Sequence, residues 1–239
     1  MELWHNLNIA KDLQLYIKVL QTHGVDALFN VYRLIDVANS LPDTDYYLME
    51  EVEIEFYLRK PVSQARPKIE QFKISLINSV SSYPAVASEI KDPLNDCAFD
   101  MVLTGFGDDK EEYINCWHLD KDIREEDDKE HKYTHPLYHF QFGGKHMTSD
   151  LGGVLLMGAP RIPHPPMDIF LAIHFVLNNY YDKKDSEYAS LIDLYEDTDY
   201  QDILERAKKR LWYPYFQGLS RTGNSRDELV LENLFPLAV

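Results

Sequence analysis

With only two cysteines, Cys97 and Cys116, in 239 residues, the chain offers neither a disulfide framework nor the spacing of a zinc ribbon. No apolar run approaches the roughly 20 residues needed to span a bilayer, so no membrane partner is expected. The first residues, Met1-Glu2-Leu3-Trp4-His5, lack the basic region and apolar stretch of a signal peptide, and a cytoplasmic location is expected. Positive charge is scarce. The chain has 24 Lys and Arg against 40 Asp and Glu, a net of −16. Between Asp108 and Glu130 eleven acidic residues face four basic ones, so that stretch alone carries −7. Phosphate-backbone binding needs Lys and Arg to displace counterions, so nucleic acid is expected as a partner only through a local patch. There is no Gly-x-Ser-x-Gly elbow, Walker A loop or His-Glu-x-x-His. Asp100 before a hairpin suggests a nuclease fold, but the Glu-x-Lys that should follow on the next strand is missing.

What is present suffices for a large core: 45% hydrophobic residues, with 11 Phe, 16 Tyr and 3 Trp. Apolar positions 9, 13, 16, 17 and 20 have a helical period, Gly24 interrupts it, and a second amphipathic run ends at Leu41-Pro42-Asp43. Residues 1–41 therefore read as an N-terminal helical hairpin. Val52, Ile54 and Phe56 alternate with Glu51, Glu53 and Glu55, a strand with its glutamates on a solvated face. Ile69, Phe72, Leu76, Ile77 and Val80 predict a helix. Strands follow at 99–104 and 111–119 around Gly105-Phe106-Gly107-Asp108-Asp109, then at 135–142 and 154–157, with 122–132 an exposed charged loop. Pro165-Pro166 starts a helix, Asp168 favours its dipole, and further helices cover 186–195 and 198–218. The expected fold is a single α+β domain. A small, mostly antiparallel sheet within 47–160 lies between the hairpin and C-terminal helices at 165–220, with a tail at 221–239.

Six of the nine histidines fall between Cys116 and His164. Strand alternation turns Cys116, His118 and Asp120 one way and Tyr113, Trp117 and Leu119 the other. It likewise places His135, Leu137, His139 and Gln141 on one face, opposite Tyr138, Phe140 and Phe142. The two polar faces meet if the strands pair, with opposed side chains ~5 Å apart. His118 and Asp120, two apart, can share one ion. His135 and His139, four apart on a strand, would stand ~13 Å apart and could not. No cofactor is predicted, but a divalent metal on His118, Asp120 and His139 would suit zinc or non-haem iron. Metal-free chemistry is the other sharp reading: paired imidazoles act as general base and acid, and Arg161 steadies a phosphate. The plainer reading makes the histidines inert hydrogen-bonding groups and gives Arg161 a carboxylate partner. His174 reads as packed, while His5, His23, His131 and His146 show no partner. Arg206, Lys208, Lys209 and Arg210, before Trp212, Tyr213 and Tyr215, fit a packed helix C-terminus better than a nucleic-acid surface.

His135-Pro136-Leu137-Tyr138-His139, Arg161-Ile162-Pro163, Pro165-Pro166 and Asn178-Asn179-Tyr180-Tyr181 together resemble an uncharacterised bacterial family, a domain of unknown function. The resemblance covers residues 117–181; Tyr180 stands where the family pattern has Phe. It implies a bacterial protein from a mobile or defence locus and brings no established activity. Two functions are expected. One is an interaction subunit of a bacterial multiprotein system, with a protein partner or a second copy of itself. The other is a histidine-dependent nuclease or toxin-like phosphodiesterase using His118, Asp120, His135, His139 and Arg161.

Overall fold

The computed structural model describes residues 2–58, 69–84, 92–107, 111–122, 135–147, 161–218 and 229–236. Positions 9, 13, 16, 17 and 20 form the buried stripe of α1 (Asn6–Thr22). His5 caps this helix: its Nδ1 accepts from the Leu7 N–H. Gly24, at φ 66°, stops the helix in the left-handed region that favours glycine, and α2 (Tyr32–Ser40) packs against α1.

Six strands follow: β1 (Leu48–Leu58), β2 (Ile69–Ser82), β3 (Leu94–Gly107), β4 (Glu112–Lys121), β5 (Tyr138–Phe142) and β6 (Ile162–Pro163). They pair in chain order, each neighbour antiparallel, and with helices before and after them the fold is α+β. β2 is a correction, because its apolar residues had suggested a helix. Ile74, Leu76 and Val80 are buried and alternate with Lys73, Ser75, Ile77 and Ser79, a period of two. The helical spacing of Phe72, Ile77 and Val80 was coincidental. Pairing along both edges decided the element, and β-branched side chains fit the pleat. In β1 the chain bulges between Met49 and Val52, with Glu51 at φ 46°.

One face of the sheet is apolar. Phe99 lies 6.1 Å from both Phe140 and Phe175, and Trp117 stacks on Phe140 at 5.2 Å. On this face lies α3 (Ile169–Tyr180). Buried Asn78 joins the two layers by donating to the carbonyls of Ala98 and Met167. Tyr16 of α1 meets Phe170 edge-on and stacks on Tyr200 of α5 (Thr198–Gly218), so α1, α3 and α5 share one core. The helix after Pro165-Pro166 begins only at Ile169, with Asp168 as its cap. The expected 186–195 helix is a 3-10 turn (Ser186–Tyr188) followed by α4 (Ser190–Glu196). A short α6 (Leu231–Leu234) follows in the tail. No described helix is long and apolar enough to cross a membrane.

The basic residues of α5 sit mid-helix, not at the helix C-terminus expected from the sequence. They serve packing instead. Arg206 grips Asp12 with two nitrogens, Lys208 lies over Trp212, and Arg210 is buried against Asp168. His174, facing α5, bonds through Nδ1 to the Tyr200 hydroxyl at 2.9 Å and contacts Tyr195 and Asn178. Burial, then the charges of Lys208 and Lys183, push its imidazole down to about 4. The unfolded chain therefore binds a proton here between the ordinary histidine range and about 4, and the folded chain does not. The stability involved is complete above the unfolded value and is lost as pH falls. His174→Gln is expected to remove on the order of 2 kcal/mol of the fall in unfolding free energy between about pH 7.5 and about pH 4.5, allowing for partial exposure. Urea titrations at both pH values check this; equal losses in both proteins would refute it.

Candidate functional site

The opposite face of the sheet is polar, and its register assembles a site between β4 and β5. Asp120 lies directly across from His139, and His118 across from Gln141. His118 and Asp120, two residues apart, project on the same side as these partners. One donor atom from each of His118, Asp120 and His139 falls within 4.8 Å of the other two.

The chain leaving β5 fixes the tautomer of His118. Gly143 and Gly144 adopt φ 107° and 108°, and the Gly143 carbonyl lies 3.2 Å from His118 Nδ1. A carbonyl only accepts, so Nδ1 carries the proton and Nε2 presents its lone pair. Nε2 is 3.4 Å from Asp120 Oδ2, so two groups that can both accept face each other, an arrangement that a shared proton or a cation between them satisfies. Residue 144 must be glycine for this close approach: a Cβ there would lie 2.9 Å from Nδ1.

His139 is 6% exposed, and its Nδ1 is buried without a well-formed hydrogen bond. Burial, then the charges of Arg161, His135 and His118, push its imidazole down to about 4, against a small opposing effect of the Pro136 carbonyl. It is therefore neutral near pH 7, the form that binds a metal or accepts a proton. Burial raises the Asp120 carboxyl above its ordinary range, with His118 opposing and Asp100 adding to the rise.

His135 and His139 correct the expected geometry. β5 begins at Tyr138, so 135–137 does not continue the strand, and the two rings come to 5.7 Å centre to centre instead of standing ~13 Å apart. Pro136, which cannot donate to a sheet ladder, separates His135 from the alternation. His135 Nδ1 lies 3.8 Å from Asp122 Oδ1. Arg161, just before β6, joins the same cleft. The expected carboxylate partner is absent: among the described residues Arg161 has no ion pair, and its Nε is buried without a hydrogen bond. The cleft is open to solvent and has a volume of about 430 Å³.

Sequence reasoning passed over Asp100 in this role. It lies directly across from His118, and its Oδ2 is 3.2 Å from His146 Nε2 and 3.4 Å from Lys145 Nζ. Its even spacing with the outward residues of β3 was the available signal. His146 thus has a partner, as do His5 and His23, the latter 2.9 Å from Asp197. His131, the 154–157 segment and nearly all of 122–132 lie outside the described residues. Cys116 is no nucleophile, because burial, then Asp100, pushes its thiol up to about 11.

Two imidazoles and a carboxylate form the donor set that zinc and non-haem iron accept, and the same groups can exchange protons without a metal. Comparison with known protein families, curated proteins and solved structures finds no match for this chain.

Proposed function

We propose that the cleft is a divalent-metal site at which the protein hydrolyses phosphate esters. The observation that carries this reading is the convergence of His118, Asp120 and His139 within 4.8 Å, beside an Arg161 that has no ion-pair partner among the described residues. A bound divalent cation supplies Lewis-acid chemistry, polarising an ester oxygen and acidifying water. The chain's own groups do the rest. The Gly143 carbonyl orients His118 as a ligand, as outer partners of metal-binding histidines do. Arg161 meets the charge that builds on the phosphoryl oxygens. His135, next to Asp122, passes a proton to the leaving oxygen. Water's oxygen bonds to phosphorus as the bond to the leaving oxygen breaks. One water proton goes to solvent, and the leaving oxygen takes one from protonated His135.

The test uses the full chain stripped of metal and reloaded with zinc, iron(II), manganese or magnesium. It is assayed on bis(p-nitrophenyl) phosphate and on labelled RNA and DNA, alongside His118→Ala and His139→Ala. Metal-dependent turnover lost in both variants is expected. The reading is abandoned if no metal is retained and no substrate is cleaved. Capture of a product of the neighbouring genes by such an inactive chain would support the interaction-subunit reading instead.

A further inference from the structure

We infer that the cleft takes a small phosphate ester carrying a single phosphate, anchored by Arg161, and not a nucleic-acid strand. The inference rests on the hydrolytic reading of the same cleft and names its substrate class. Of the two cations that line the cleft among the described residues, Lys121 is already engaged: it is 8% exposed and lies 3.3 Å from the buried Asp92 carboxylate. That leaves Arg161 to meet an anion, and its guanidinium offers enough donors to grip two phosphoryl oxygens.

The surrounding charges argue against a longer polyanion. Asp96, Asp120 and Asp122 also line the cleft, and a cation held by Asp120 offsets only part of their charge. A strand is held by a basic groove that follows several phosphates, with stacked bases along it. Among the described residues, one guanidinium without an ion pair shares the cleft with three carboxylates. The volume of about 430 Å³ also lies within the range of small-molecule sites.

The experiment titrates zinc-loaded and zinc-free full chain with inorganic phosphate and with adenosine 5′-monophosphate by calorimetry. Binding of a labelled 12-nucleotide RNA is followed by anisotropy at several salt concentrations. Saturable phosphate and nucleotide binding is expected, weakened at least tenfold by Arg161→Met and less by Arg161→Lys, which keeps the charge but loses the fork. The RNA should bind no tighter than the mononucleotide. Two results would overturn the inference. One is equal phosphate affinity in wild type and Arg161→Met, each with an unchanged circular dichroism spectrum. The other is RNA binding at least tenfold tighter than the mononucleotide, with a salt slope showing several phosphates neutralised. Failure of the parent reading looks different: zinc is not taken up, yet Arg161-dependent phosphate binding persists in the zinc-free chain.

Discussion

Arg210→Met is expected to lower the unfolding free energy by about 3–5 kcal/mol, because it leaves a buried carboxylate without its partner. Arg210 is 1% exposed and Asp168 0%, with Nη2 and Oδ2 3.0 Å apart. Asp168 works in two ways. Its Oδ1 accepts from the Leu171 N–H as the cap of α3, while Oδ2 holds Arg210. The guanidinium lies against the rings of Tyr47 and Phe170, with Asp12 a further 3.8 Å contact. Methionine fills much of the space but leaves the Asp168 carboxylate buried opposite an apolar chain. Desolvation without a partner is costly; replacing both charges is much less so. The double variant Asp168→Asn with Arg210→Met should therefore be more stable than the sum of the single losses implies. Urea denaturation followed by circular dichroism measures all three, and a loss below about 1 kcal/mol for Arg210→Met would refute this account.

The second large effect is on metal binding. His139→Ala should weaken zinc affinity by at least about 100-fold, roughly 3 kcal/mol, because it removes one of three ligands. Asp120→Asn should behave similarly, since the amide offers a neutral oxygen where the carboxylate is charged. His146→Ala is the control. It removes a histidine from the same face, but that histidine bonds Asp100, outside the three-residue cluster. Its zinc affinity should stay within about threefold of wild type. Competition titrations with a chromophoric chelator report each value, and melting curves confirm that each variant is folded. Equal affinities for His139→Ala and His146→Ala would show that the cluster does not bind the ion.

Much of the architecture was readable from local patterns. α1, β1, β4 and α5 follow from periodicity, and the outward projection of His118 and Asp120 follows from the period-two pleat. The misread elements share a physical cause. β2 holds apolar residues that satisfy two periods at once, and neighbouring strands resolve such an ambiguity. The partners of His23 and Arg206, 174 and 194 positions away, leave no local trace in the chain.

The sequence by itself determined the class of the fold, the acidity of the chain and the strand that carries His118 and Asp120. Those properties depend on composition and on the alternation of neighbouring residues. Only the tertiary structure decided that His139 lies opposite Asp120, that His135 bends back to within 5.7 Å of it, and that Arg161 has no carboxylate partner among the described residues. Strand register, a proline bend and the absence of an ion pair are relations between distant segments. They are set by which surfaces the core forces together.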